Sequence, residues 1–401
     1  MADGSITLIL TLSLLIWSSP FIAKIIRIPT PPVEIVAGSL LGYLGLIGHH
    51  DYFDMIADIG FLYLMFLAGM EVDLKQILGS PRSVIRKSIL FIVIMSTLSL
   101  LLGWLFQLSA IITVSMPLIS IGLLASLSKV YGKEQSWLQL AFIVGVLGEV
   151  VSIAGLTILD AASTVGFGWE LLMKMSYLLA FMGVIFLLYH LLHLLFWWFP
   201  ELKTMLMPRY DTSDQDIRLA IALFFILIAV MLTLELELAL GAFIAGVAIS
   251  AFFHHEKKLE EKMSSLGFGF LVPLFFIHVG ASFDLSALAL PGVVSGALLI
   301  TFMMILIRLL AAFVLKKIDG SRTALLVGIS LSMPLTLLIA VATIGYETHL
   351  IDILSYYQLI LASLFEILIS MVTIKLLQGK HTRAAGSASA DDFEAPRHPE
   401  S

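Results

Sequence analysis

Ser115-Met116-Pro117-Leu118 and Ser332-Met333-Pro334-Leu335 are the same four residues, 217 positions apart, and each copy lies in a long apolar stretch. A proline inside a helix removes a backbone hydrogen-bond donor and breaks the helical ladder. The proline of each copy is followed 32 residues later by a glutamate, Glu149 in one case and Glu366 in the other. A helix break and a buried carboxylate that recur at one spacing predict two related halves.

The composition is typical of a membrane protein. Of 401 residues, 59% are hydrophobic and 13% are charged, and the chain has no cysteine. Because a water-soluble fold cannot bury that much apolar surface, we expect an integral protein of the lipid bilayer. The missing cysteine excludes disulfides and cysteine metal sites. Met1 to Ser5 contain no Lys or Arg, so the first apolar run is predicted to be a retained helix and not a signal peptide.

The apolar runs predict an all-α polytopic membrane protein with 13 transmembrane helices. Each run is close to the roughly 20 residues that cross a bilayer. The expected spans lie near 6–24, 29–48, 54–73, 86–106, 110–130, 136–160, 171–198, 215–234, 237–253, 266–283, 290–316, 322–346 and 354–378.

The basic residues agree with this count and predict an orientation. With the N-terminus outside, 21 of the 23 Lys and Arg residues fall on the inner side, Lys174 falls on the outer side and Arg308 lies within a span. Inner connections of membrane proteins are rich in Lys and Arg. We therefore expect an outer N-terminus and a cytoplasmic C-terminus.

The two Ser-Met-Pro-Leu copies lie in the fifth and twelfth expected helices, which run in opposite senses. This predicts an inverted-topology repeat of helices 1–6 and 8–13, with helices 5 and 12 broken and crossing. The membrane transporter domain is then 1–378, with a first repeat at about 6–160, a linker helix at about 171–198 and a second repeat at about 215–378. Residues 379–401 are rich in Ala, Ser and charge and predict a disordered cytoplasmic tail. The alternative is that the tetrapeptide recurs by chance.

The broken helices suit an alkali cation. Pro117 and Pro334 free backbone carbonyl groups, and Ser115 and Ser120 offer hydroxyl oxygens beside the first break. Irregular backbone survives at membrane depth only where protein or water satisfies it. The alternative is that both prolines are simple kinks.

Glu149 is the leading candidate for binding Na⁺, K⁺ or a proton, with Ser152 one helical turn away. A buried carboxyl group can hold either a proton or a metal cation, and this competition is the chemistry of exchange. The alternative is a glutamate with a structural role only.

Arg308 lies deep in helix 11 and needs a carboxylate partner. Glu149 is the first choice for this partner and Glu366 is the second. Glu366 is either a second titrating site or the permanent partner of the arginine, and the pair is either functional or purely structural. Two glutamates and one arginine leave one negative charge, which suits one cation or one proton.

Several segments resemble the cation:proton antiporter family of sodium/hydrogen exchangers, nearest the Kef-type potassium-efflux and bacterial sodium/proton antiporter branch. The segments are Ile28-Pro29, Ala37-Gly38, Asp58-Ile59-Gly60, Phe66 to Glu71, Leu240 to Gly246, and Pro273 to Gly280 with Asp284. The resemblance covers residues 1 to about 378.

The resemblance implies a homodimer, a dimerisation panel, a moving core and elevator-like alternating access, and a place in the bacterial inner membrane. Family members carry an ion-binding Asp on helix 6 after Asn, Asp or Gln, and here the matching pair is Gly148-Glu149. Arg308 falls where members have a basic residue on helix 11. The first polar residue of the pair is thus absent.

These observations predict a secondary active antiporter that exchanges H⁺ for Na⁺ or K⁺, with Glu149 as the competing site. One alternative is a transporter of an anion or a small organic solute, with Arg308 as the counter-charge. Another is a transport-inactive membrane sensor or subunit. The sequence has no zinc motif, nucleophile constellation or phosphate loop, so we expect no enzyme activity, no cofactor and no nucleic-acid partner.

Overall fold

The computed structural model describes residues 2–26, 30–48, 50–72, 79–132, 134–165, 169–199, 201, 214–234, 238–253 and 257–391, and no strand occurs among them. The helices are α1 Ala2–Ile26, α2 Thr30–Tyr43, α3 Asp51–Met70, α4 Arg82–Leu105, α5 Ala110–Ser115, α6 Gly122–Tyr131, α7 Ser136–Val165, α8 Trp169–Trp198, α9 Gln215–Thr233, α10 Leu238–Phe253, α11 Lys257–Leu266, α12 Val272–Ala281, α13 Val293–Ala312, α14 Lys316–Ser330, α15 Leu335–Glu347 and α16 Ile353–Asp391. A π-helical segment, Gly267–Leu271, joins α11 to α12, and 3₁₀ turns lie at Leu285–Ala289 and Phe313–Leu315.

Eight segments in this described part are long and apolar enough to cross a membrane. They are Ile6–Ile26, Asp51–Met70, Arg82–Leu105, Ser136–Leu156, Gln215–Thr233, Leu259–Ala281, Val293–Ser330 and Ile353–Gln378. Every expected span overlaps a helix, while the number of 13 crossings stays a prediction. The last helix continues to Asp391, past the expected boundary at 378. Its alanines are good helix formers, and residues 392–401 of the expected disordered tail lie outside the described residues.

Apart from α8 and α11, the described helices pack as two bundles. The panel bundle consists of α1, α2, α3, α9, α10 and α12, and its main contacts are α3 with α10 and α2 with α12. The crossing bundle consists of α4 to α7 and α13 to α16, and its main contact is α13 with α16. Both bundles contribute to one large apolar cluster, so they share an extended packed interface.

Glycines set the two main contacts of the panel bundle. Gly38 and Gly280 lie between α2 and α12, and Gly69 and Gly246 lie between α3 and α10. A Cβ atom on any of the four would overlap a backbone carbonyl oxygen of the facing helix. Only glycine therefore allows these helices to approach so closely.

The crossing bundle contains two interrupted helices. The first interruption separates α5 from α6 and contains Pro117, and the second separates α14 from α15 and contains Pro334. The helix α15 contacts both α5 and α7, which brings the second interrupted helix against the first half of the chain. A further kink lies at Asp319 and Gly320, where Gly320 has a φ of 84°.

The two bundles meet differently at their two ends. Near the C-terminal end of α1, Lys375 of α16 donates a hydrogen bond to the carbonyl oxygen of Ile26, at 3.2 Å. Towards the opposite end of α16, a cavity of about 350 Å³ lies between α3 and α12 on one side and α15 and α16 on the other. The cavity opens at the end where α3 and α16 begin.

Candidate functional site

Glu149 is fully buried in α7 beside the first interrupted helix. Its Oε2 accepts a hydrogen bond from the amide of Ile121, at 2.5 Å. Its Oε1 has no hydrogen-bond partner in the described structure. Because Ile121 directly precedes α6, the positive end of that helix dipole faces the carboxylate. One carboxylate oxygen is thus held in place, and the other is available to a proton or a cation.

Side chains from other helices bind the buried, non-helical backbone of the first interruption. Ser152 of α7 accepts a hydrogen bond from the amide of Ile119, at 2.8 Å. Arg308 of α13 donates from Nη2 to the carbonyl oxygen of Leu118, at 2.6 Å. Non-helical backbone inside a membrane protein needs such partners, because the bilayer interior offers none. The chain around Pro117 is therefore fixed by α7 and α13 together.

Arg308 pairs with Glu366 and not with Glu149, which was the first choice from the sequence. Its Nη1 lies 3.3 Å from Oε1 of Glu366, and neither side chain is exposed. The same nitrogen donates to the carbonyl oxygen of Met304, at 2.9 Å. The pairing follows from the packing of α13 along α16, which places the guanidinium between Glu366 and the first interruption. Glu366 Oε2 and Arg308 Nε have no partner in the described residues.

Ser115 and Ser120 are both buried at the first interruption. The hydroxyl of Ser115 donates to the carbonyl oxygen of Ile112 in its own helix, at 2.8 Å, so it supports the end of α5. Ser120 lies in the non-helical stretch between Leu118 and Ile121.

Gly148, the residue before Glu149, packs against Ile119. A Cβ atom on Gly148 would overlap the Ile119 side chain, whose own Cβ would lie 2.9 Å away. The place that a polar side chain would need is thus filled by an aliphatic residue from the interrupted helix. A polar side chain at position 148 would therefore have to displace Ile119.

The second interruption has a partner that the sequence did not reveal. Ser370 of α16 donates to the carbonyl oxygen of Ser332, at 3.1 Å, and both residues are fully buried. Ser152 and Ser370 thus each bind interrupted backbone of their own half. The only signal in the sequence was their position on the helix that carries a buried glutamate.

The site contains two carboxylates and one guanidinium. When all are ionised, Arg308 balances Glu366, and Glu149 leaves one negative charge. No group of three or more His, Cys, Asp or Glu residues that would hold a metal ion occurs in the described part of the chain. The one uncompensated carboxylate has the charge to take up one proton or one monovalent cation at a time.

Comparison with known proteins gives the same family for most of the chain. The family model for the transmembrane domain of sodium/hydrogen exchangers matches residues 9–378. The Na⁺/H⁺ antiporter of Enterococcus hirae is 29% identical over 381 residues, which cover 90% of this chain and 94% of the relative. The putative Na⁺/H⁺ antiporter YjbQ of Bacillus subtilis is 26% identical over 406 residues, and the match covers 94% of this chain and 64% of YjbQ. These relatives are named as antiporters and not as enzymes.

A solved structure shows the same fold. The sodium proton antiporter MjNhaP1 of Methanocaldococcus jannaschii at pH 8 superposes with a TM-score of 0.65. The match covers 93% of this chain and 98% of MjNhaP1, at 15% sequence identity. The helical arrangement is thus that of a known membrane transporter.

Proposed function

Because this chain belongs to the family of transmembrane sodium/hydrogen exchangers, we propose that it is a secondary active antiporter that exchanges H⁺ for Na⁺. It is an integral membrane protein of a transporter family. The names of its relatives favour Na⁺ as the cation, and K⁺ is the second cation to test.

The observation that carries this proposal is the free oxygen of Glu149. A carboxylate that is fully buried with one unpartnered oxygen is costly unless it binds a proton or a cation. Binding of one excludes binding of the other, because both neutralise the same charge. The ionised, empty site would cross the bilayer poorly, and this couples the two fluxes.

The charge balance favours exchange of one proton for one cation. Arg308 and Glu366 neutralise each other at 3.3 Å, so Glu149 supplies the single charge that changes during the cycle. The hydroxyl of Ser152 and the backbone near Ser120 lie beside the same interruption and are candidate cation ligands. In this proposal Ser115 and Pro117 shape the interruption, and Pro334 does the same in the second half.

The proposed architecture is an inverted repeat of helices 1–6 and 8–13. Two contacts support it: expected helices 2 and 10 (α2 and α12) pack through Gly38 and Gly280, and expected helices 3 and 9 (α3 and α10) pack through Gly69 and Gly246. In the repeat, helix 2 corresponds to helix 9 and helix 3 corresponds to helix 10. The contact between helices 2 and 10 therefore has its equivalent in the contact between helices 9 and 3. A pseudo-two-fold axis in the membrane plane has this property.

We further propose that the crossing bundle moves against the panel bundle in an elevator-like cycle. The membrane domain would be 1–378, and two copies would form a homodimer through their panel bundles. The Lys and Arg distribution supports an outer N-terminus and a cytoplasmic C-terminus. The proposed location is the inner membrane of a bacterial cell, where the gradients of H⁺ and Na⁺ would set the direction of exchange.

Transport of an anion or a small organic solute is less well supported. Arg308, the counter-charge that such cargo would use, already binds Glu366, the carbonyl of Met304 and the carbonyl of Leu118. Only a measurement of ion flux distinguishes a transport-inactive sensor or subunit from an antiporter.

The test is cation-driven proton flux in proteoliposomes that contain the purified full-length chain and an entrapped pH dye. Inward gradients of Na⁺, K⁺ and choline distinguish the cations, and replacing chloride by gluconate tests an anion. We expect Glu149→Gln to abolish the flux. Glu34→Gln is the matched control, because Glu34 is also a buried glutamate but lies in the panel bundle and accepts a hydrogen bond from Ser19, at 3.0 Å. Undiminished exchange in Glu149→Gln would sink the proposal.

A further inference from the structure

The cavity between the two bundles has walls of different chemistry. Its panel wall carries two ionisable residues, Asp58 of α3 and His278 of α12. The crossing wall is uncharged and offers the hydroxyl groups of Thr343, Tyr356 and Tyr357. The cavity therefore places one carboxylate opposite neutral oxygen atoms, in a space of about 350 Å³ that is large enough for a hydrated cation.

His278 pairs with the neighbouring carboxylate, that of Asp54. Its Nε2 lies 2.9 Å from Oδ1 of Asp54, and its ring packs edge-on against Phe53, with ring centroids 5.2 Å apart. Asp54 and His278 both line a second, adjacent cavity of about 240 Å³. Asp54 is thus paired and directed away from the space between the bundles.

Asp58 differs from Asp54 in its partners. It lies one helical turn further along α3 and is exposed. Within the described structure its carboxylate makes no hydrogen bond or ion pair, although His278 and Asp54 act on it electrostatically. A free carboxylate between low-dielectric walls concentrates cations, because the walls focus its field into the cavity.

We propose that Asp58 captures the cation on its way to Glu149 from this end of the protein and so sets the apparent affinity for the cation on one side of the membrane. The inference rests on the proposed antiport. It adds a residue on the panel wall that sets the affinity for the cation and does not take part in the proton-for-cation competition itself. Its effect is one-sided, because Asp58 and the cavity lie at only one end of the protein, where α3 and α16 begin.

The experiment measures Na⁺-driven proton flux at one fixed pH in right-side-out and inside-out vesicles from cells that lack other Na⁺/H⁺ antiporters. We expect Asp58→Asn to raise the KM for Na⁺ about three- to tenfold when Na⁺ is added on the cavity side. The KM on the other side and the maximal rate stay as in the wild type. Choline chloride at about 0.5 M should reduce the difference, since salt screens the field of an exposed carboxylate.

Asp284→Asn is the matched control. Asp284 lies at the same end and carries the same charge, but its carboxylate accepts hydrogen bonds from the amide and hydroxyl of Ser286, at 2.9 and 2.8 Å. It lines the adjacent cavity of about 240 Å³ and not the one between the bundles. Its removal should leave the KM unchanged. Asp58→Glu keeps the charge and should keep the KM within about twofold.

An unchanged KM in Asp58→Asn, or an equal rise on both sides, would overturn the inference while leaving the antiport intact. An equal rise of the KM in Asp284→Asn would assign the effect to general surface charge. A rise in Asp58→Glu as large as in Asp58→Asn would assign the effect to packing. Either result would also overturn the inference. If the Asn variant is not produced, Asp58→Ser takes its place with the same outcomes. Absence of exchange in the wild type would instead defeat the proposed function.

Discussion

Arg308 and Glu366 form an ion pair between α13 and α16 in which neither side chain is exposed and Nη1 lies 3.3 Å from Oε1. The other terminal nitrogen of Arg308 binds the carbonyl oxygen of Leu118 in the first half of the chain. One guanidinium thus connects a helix of the second half to the interrupted helix of the first. The pair positions the Arg308 side chain and neutralises Glu366. It adds little net stability, because the desolvation of the two charges offsets most of their attraction.

Arg308→Met should be strongly destabilising, because it leaves Glu366 buried without a counter-charge. The expected loss is about 3 to 5 kcal/mol. The double variant Arg308→Met with Glu366→Leu removes both charges and should lose clearly less. Unfolding of the detergent-solubilised protein by heat and by added SDS provides the measurement, and equal losses in the single and double variants would contradict the assignment.

Ser152→Ala should leave the amide of Ile119 buried without an acceptor. The expected cost is about 1 to 3 kcal/mol, and the flux should fall because the interruption beside Glu149 loses a fixed point. Ser363→Ala is the matched control, since Ser363 is equally buried but donates to the carbonyl of Ile360 in its own helix, at 2.6 Å. Similar losses of stability and flux in the two variants would argue against a special role for Ser152.

Gly148→Ala should displace Ile119 and with it the backbone that binds Glu149. A methyl group at position 148 has no room beside the Ile119 side chain. We expect a loss of about 1 to 3 kcal/mol and a lower maximal exchange rate. Gly155→Ala on the same helix has open space around the new methyl group, so it should be neutral or slightly stabilising. The idea fails if Gly148→Ala exchanges as fast as Gly155→Ala.

Gly69→Ala and Gly280→Ala should have matched effects, because the two glycines are equivalent positions in the proposed repeat. Each new methyl group would meet a backbone carbonyl of the facing helix, so both variants should separate a helix pair of the panel bundle and lower the unfolding temperature. Gly183→Ala in α8, where no atom lies within 4 Å of the new Cβ, is the control. A large loss in one glycine variant and none in the other would speak against the symmetry.

The family and the two interruptions could be predicted from the sequence, because proline and glycine act locally. Pro117 and Pro334 mark the interruptions directly, and the glycine-containing motifs lie at the contacts of the panel bundle. The match to the exchanger family over residues 9–378 confirms the family that these motifs indicated.

The partner of Arg308 could not be predicted, because it depends on the rotation and packing of α13. A sequence gives the depth of a residue in a span but not the direction of its side chain relative to two candidate carboxylates. The contacts of Ser152 and Ser370 were hidden for the same reason, since both bind backbone atoms that become available only once a helix is interrupted. The roles of Glu149 and Glu366 in transport stay predictions.

The hydrogen bond from Lys375 to Ile26 bears on the speed of the transport cycle. It is exposed, and a bond of this kind contributes on the order of 1 kcal/mol or less to stability. In the proposed elevator-like cycle, separating the bundles at this end would therefore meet little polar resistance, and the activation barrier would come mainly from moving the apolar side chains of the shared cluster past one another. A barrier of that origin responds to temperature and to membrane fluidity more than to ionic strength.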